Sequence, residues 1–239
     1  MITPDCITKN RPYKLVHGIP MHKIPYTNEY ACNATDIAAQ AMKGNENCMS
    51  WLRWNIEADG SFKHWYDDVY YGQKSGWTSA VSQALAAMAF LQDQNFDKAS
   101  LALKYMLDHH TKCGVIYEKA DVCILNGWLY GMLALDQFYQ DTLDRDTLKH
   151  YQNCTQKLIA MFPQFVMPNG WTRYDEGGIP ATEFYHTVHK HLLFELWLMD
   201  ELGQIEHAKF PIISRNFHLI LKNNYKLPYI IWRRKKWLR

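Results

Sequence analysis

The run TSAVSQALAAMAFLQD at residues 78–93 constrains the fold more than any other stretch of the chain. It holds neither Gly nor Pro, the two residues that weaken or break a helix interior. Small side chains dominate it, which lets neighbouring helices approach closely. Apolar residues recur at helical spacing elsewhere too. Helices are expected over 36–57, 95–110, 124–140, 143–162 (stopping before Pro163), 183–203 and 204–222.

Between them lie three polar and aromatic breaks, around 59–77, 113–123 and 168–182, which carry most of the Trp, Tyr, Asp and Glu. The first contains a turn at Asp59–Gly60 and the run FKHWYDDVYYG, read as loop or short strand. No βαβ alternation and no Gly-rich phosphate loop is present. The expected class is therefore all-α: an α/α toroid, an incomplete (α/α) barrel of antiparallel helix pairs. Three regions are expected: an extended lead-in at 1–35, the toroid at 36–225, and a basic tail at 226–239. Function on loops held by a rigid scaffold is the usual arrangement.

Composition narrows the function classes. With 48% hydrophobic and 21% charged residues, the 239-residue chain can bury an ordinary core. A formal net charge of +2 is too small to imply a nucleic-acid partner. The cysteines Cys6, Cys32, Cys48, Cys113, Cys123 and Cys154 form no CxxC pair and are too dilute for a disulfide scaffold. They read as reduced thiols. The first residues lack a signal-peptide apolar run, and no stretch reaches the ~20 apolar residues of a membrane span. A cytoplasmic chain is expected. The tail PYIIWRRKKWLR reads in three ways: as solvated, as steering an anionic polymer, or as touching an anionic membrane through Trp232 and Trp237.

Three stretches carry a resemblance: SGWTSAVSQALA at 75–86, ILNGWLYGMLALDQF at 124–138, and GWTRYDEGGIPATEFYHTVHKHLLFEL at 170–196. In order and spacing they resemble the C-terminal catalytic domain of the glucuronyl C5-epimerases, the heparosan and heparan sulfate family. Two differences stand out. An Arg that follows the family's Tyr-Asp pair is replaced by Gly177, and the family's Gln-Gly-Gln is Gln83-Ala84-Leu85.

The resemblance implies an isomerase that converts D-glucuronosyl to L-iduronosyl residues within an acidic polysaccharide, with no cofactor and no metal. It also leaves open a homodimer. Such a reaction removes the proton on carbon 5 and returns one to the opposite face, after the neighbouring carboxylate has been neutralised. A polysaccharide lyase, or a non-catalytic binder of acidic polysaccharide, are the alternative readings.

Tyr174 and Tyr185 fall on the family's catalytic tyrosines. Tyr185 also lies near the expected N-terminus of a helix, whose dipole favours a phenolate. Tyr117 and Glu118 align with an acidic-Tyr turn, where a carboxylate could serve as base or stand as a solvated loop residue. Arg173 could pair with a substrate carboxylate or lie exposed. Asn126 could bond the substrate or cap a helix. Trp77 and Trp171 could stack a sugar ring or pack in the core, and Gln83 belongs to a substrate motif in the family. His186, His189 and His191 invite a metal reading, but His191 falls on another face of the helix, so no three-ligand set forms. His186 is instead expected in the cleft beside Tyr185, and His189 in the helix interior.

Overall fold

The structure, a computed structural model, describes residues 13–119 and 121–201. The helix expected at 204–222, the basic tail and Cys6 lie outside the described residues.

The chain enters as an antiparallel meander of β1 (Tyr13–Val16), β2 (Ile19–Lys23) and β3 (Tyr30–Cys32). The β1–β2 turn consists of His17 and Gly18, both at positive φ (50° and 77°), the geometry that matches strand twist. Asn45 donates its side-chain amide to the Gly18 carbonyl at 2.9 Å, tying this hairpin to the helices that follow.

Those are α1 (Ala34–Ala41) and α2 (Glu46–Asn55), where periodicity predicts one helix over 36–57. Gly44 at φ 90° ends the first, and the Asn45 side chain caps the second by accepting from the Asn47 and Cys48 amides. Next come α3 (Ala80–Gln92) and α4 (Phe96–His110), joined by three residues and capped by Ser79 and Asn95. Every α3 residue from Ala80 to Leu91 is buried. Its alanines let α1, α4 and α5 all pack against it. Leu85 has no exposed surface, so truncating it to Ala would cost about 2–5 kcal/mol.

A short hairpin, β4 (Thr111–Lys112) with β5 (Val115–Ile116), turns at Cys113 and Gly114 (φ 52° and 79°). Then follow α5 (Leu125–Thr142), α6 (Arg145–Met161), a 3₁₀ turn at Phe162–Phe165 and α7 (Glu183–Glu201). Leu143, left-handed at φ 58°, and the cap Asp144 reverse the chain between α5 and α6. α5 packs on α3, α6 and α7, so α3 and α5 form the centre of the core.

The expected all-α toroid is thus not what forms. The protein is mixed, with seven helices and two antiparallel sheets among the described residues. The strands are two to five residues long. Runs that short give no alternating pattern, and turn geometry rather than side-chain periodicity creates them. The five described cysteines are unpaired. Among the described residues, no helix is long and apolar enough to cross a membrane.

Candidate active site

The three loop regions and the N-terminal sheet enclose a cavity of about 870 Å³. Its chemistry centres on Tyr174, Tyr185 and Glu118.

Tyr174 is set by a turn. Its amide donates to the Ile179 carbonyl at 2.6 Å, and Asp175 Oδ1 accepts from the Ile179 amide at 3.2 Å. The Tyr174 carbonyl then accepts from the Leu125 amide at 3.0 Å, fixing this turn to the start of α5. Tyr185 lies in the first turn of α7, and the two rings meet with centroids 4.5 Å apart and planes tilted by 55°. Burial pushes the Tyr174 phenol far above its ordinary value. The negative charge that Tyr185, Glu118 and Tyr71 can carry, and a hydrogen bond with Tyr185, push it the same way. Tyr174 therefore holds its proton.

Glu118 Oε1 accepts a 2.6 Å hydrogen bond from the Ser79 hydroxyl, and its backbone carbonyl accepts from the Ala80 amide at 2.9 Å. Both bonds anchor the loop to the N-terminus of α3. The other face of the carboxylate rests on α5 at Gly127, where an added Cβ would collide with Oε2 and stand 3.1 Å from the Glu118 Cβ. His110 braces the same loop from beneath. Its ring bonds Thr78 Oγ1 at 2.9 Å and the Tyr117 carbonyl at 3.2 Å, and burial lowers its pKa to about 4.

Residues 51–209 match a family model described as the D-glucuronyl C5-epimerase C-terminus. The chain belongs to this family. The match spans the turn of Tyr174, the start of α7, the Glu118 loop and the first turn of α5, so the cavity is built largely from family sequence. A comparison with curated proteins returned no match.

Other expected site residues divide between cavity and core. Trp77 and Asn126 line the cavity with the two tyrosines and Glu118. Trp77 donates its indole N–H to the Tyr66 carbonyl at 2.8 Å and stacks on His64 at 4.0 Å. Asn126 is not a helix cap, because Ile124 holds that position without a side-chain bond. The Asn126 Oδ1 is buried without a hydrogen-bond partner among the described residues.

Five expected residues are not cavity-lining. Gln83 is fully buried, with its amide nitrogen 3.0 Å from the Gly60 carbonyl and its oxygen 2.9 Å from the Phe62 amide; it clamps the turn beneath the aromatic loop. Tyr117 packs against the hydrophobic core while its neighbour Glu118 reaches the cavity, the alternation of an extended segment. Arg173 donates to the Gln164 carbonyl at 2.9 Å. Trp171 donates to the Ala181 carbonyl at 2.7 Å and stacks on His186 at 4.0 Å. The expectation that His186 lines the cleft is thus corrected. Its Nδ1 accepts from the Thr172 amide at 3.2 Å. The Thr172 hydroxyl bridges His186 and the fully buried His189, at 3.0 and 2.8 Å. Burial lowers these histidines to about 4 and about 3. Among the described residues no group of three or more His, Cys, Asp or Glu side chains could share a metal ion.

Among the cavity residues that no motif singled out are Asp68, Tyr71 and Lys119. Burial, with Asp175 and Glu118 nearby, pushes the Tyr71 phenol up to about 12. The dense run FKHWYDDVYYG marks the loop of Asp68 and Tyr71, but nothing in it says which side chains turn inward.

Proposed function

We propose that the protein epimerises carbon 5 of D-glucuronosyl residues to L-iduronosyl within an acidic, heparosan-like polysaccharide. The observation that carries this reading is the meeting of Tyr174, Tyr185 and Glu118 in one cavity of a glucuronyl C5-epimerase family member.

The chemistry runs as a proton exchange. Glu118 takes the carbon-5 proton as base, and the electron pair delocalises into the substrate carboxylate. Tyr174, which burial keeps protonated, returns a proton to the opposite face. The phenolate left on Tyr174 and the protonated Glu118 then return to their resting states by proton exchange with solvent, Tyr185 being the hydrogen-bonding neighbour of Tyr174. No electrons leave the substrate. In the reverse direction the two roles exchange.

The test is exchange with solvent. A glucuronic-acid polymer incubated with the protein in deuterated water gains label at carbon 5 together with L-iduronosyl signals, and Tyr174→Phe abolishes both. If the wild-type protein labels no uronic polymer, the reading fails. An unsaturated, ultraviolet-absorbing product would mark a lyase instead, and binding without label a non-catalytic protein.

A further inference from the structure

A uronate whose carbon 5 is to lose a proton must first have its carboxylate neutralised, since the developing charge delocalises onto a group already negative. Neither arginine position suggested by the sequence meets that need. The Arg173 guanidinium is engaged by the Gln164 carbonyl outside the cavity lining, and Gly177 stands where the family's Arg would be.

Lys119 is differently placed. It lines the cavity immediately after Glu118, and only 13% of its side chain is exposed. Its ammonium lies 4.5 Å from the Tyr71 ring centroid and 4.7 Å from that of Trp77, both cavity residues. It is also ion-paired with Asp68, itself held by a loop in which Asp68 and Gln73 exchange backbone hydrogen bonds of 2.8 and 3.1 Å. The Lys119 backbone is fixed as well, its carbonyl accepting from the Val122 amide at 3.1 Å.

We propose that Lys119 is the anchor for the uronate carboxylate, oriented by Asp68 and walled by Tyr71 and Trp77. This proposal rests on the epimerase reading for the identity of the reacting sugar. An ammonium carries three donors, and the bond to Asp68 uses one. The two aromatic faces stabilise the cation without consuming its charge, and a planar sugar carboxylate can take a remaining donor. Asp68 is a positioning residue: it keeps a flexible side chain from swinging away while the cavity is empty. The same arrangement selects uronic acid over a neutral hexose, because a hexose offers no carboxylate to the donors that Asp68 leaves free.

Calorimetric binding of two matched oligosaccharides tests this independently of turnover. One carries glucuronic acid, and the other is its carboxyl-reduced, glucose-containing counterpart. The wild-type protein is expected to prefer the acid by about ten- to a hundredfold, the range for a hydrogen bond to a charged group. Lys119→Met removes that preference, and Lys119→Arg keeps most of it. Because Lys119→Met leaves Asp68 buried and unpaired, the double variant D68N/K119M, which removes both charges, is measured beside it and should also show no preference. Asp68→Asn alone weakens the preference and Asp68→Glu restores part of it, with the melting temperature as control.

If Lys119→Met or the double variant still prefers the acid, or if the wild-type protein does not, the proposal is overturned. If the preference behaves as expected and no label is exchanged, the anchor stands and the epimerase reading falls.

Discussion

Two polar clusters lie on either side of the segment 171–189, and they differ in almost every physical respect. One faces the cavity: Tyr174, Tyr185, Glu118, Tyr71 and Lys119, a mixture of phenols and charges around open volume. The other is closed: Thr172, His186 and His189, bonded to one another beneath Trp171. Thr172 and Tyr174 are two residues apart, and Tyr185 and His186 are adjacent, yet each pair is split between the clusters. An enclosed group whose members bond one another stabilises the fold, whereas polar groups gathered around open volume are arranged for a ligand. The depressed pKa values of the closed histidines report burial, as do the raised phenols of Tyr174 and Tyr71 in the cavity, so a perturbed titration alone does not tell the two clusters apart.

Substitutions can break that contrast. The largest effect is expected in the cavity. Tyr174→Phe or Glu118→Gln should lower carbon-5 exchange by about a hundredfold or more, the usual contribution of a positioned acid or base. Their thermal melts should stay near wild type. A matching loss of melting temperature would mean that these residues belong with the structural set.

Thr172→Val inverts the expectation. It strands the Nδ1 atom of His189 in a buried site, while His186 Nδ1 keeps the residue-172 amide, at a cost of about 1–3 kcal/mol. For a chain of this size that is a fall of roughly 2–4 °C per kcal/mol, with the exchange rate per folded molecule little changed. A specific loss of rate would link the closed cluster to catalysis.

Acidification should expose the histidines next. His110 and His189 have ordinary values of 6.5 but titrate near 4 and 3 when folded, so the unfolded chain binds protons first. Their contribution to stability is complete above pH 6.5 and declines as pH falls toward 4 and then 3. The loss is up to about 1.4 kcal/mol per pH unit for each. Denaturant melts between pH 7 and pH 4 check this, and a flat profile would show that these rings take up protons without unfolding.

The smallest effect is expected at Arg173. Its side chain hydrogen-bonds the Gln164 carbonyl and does not line the cavity, so Arg173→Ala should alter exchange less than twofold and stability within about 0.5 kcal/mol. A large loss of substrate affinity would move Arg173 into the cavity in solution.

How much of this was legible depends on the range of the interactions concerned. The helices α3 to α6 follow from periodicity and from local caps such as Ser79, Asn95 and Asp144. Tyr174, Tyr185, Asn126 and Trp77 were legible as cavity residues because three motifs recur together in one family, and Glu118 through its alignment with an acidic-Tyr turn. The sheet was not, because positive φ at His17 and Cys113 carries no strong residue signature. Lys119 was not singled out because its contacts, Asp68, Tyr71 and Trp77, lie far from it in the chain. His186 was misjudged, and the two readings of Trp171 were not told apart, because an extended segment and the start of a helix send adjacent side chains to different faces. A motif marks the segment but not the side of it that works.

The notch at Gly127 has an evolutionary corollary. Glu118 occupies the volume that any side chain at 127 would fill, though the two residues come from different elements. Divergence at one position is therefore tied to the other: a relative with a larger residue at 127 must also shorten or redirect the acid at 118. Such a paired change would be a readable trace of a lineage that gave up the chemistry but kept the scaffold.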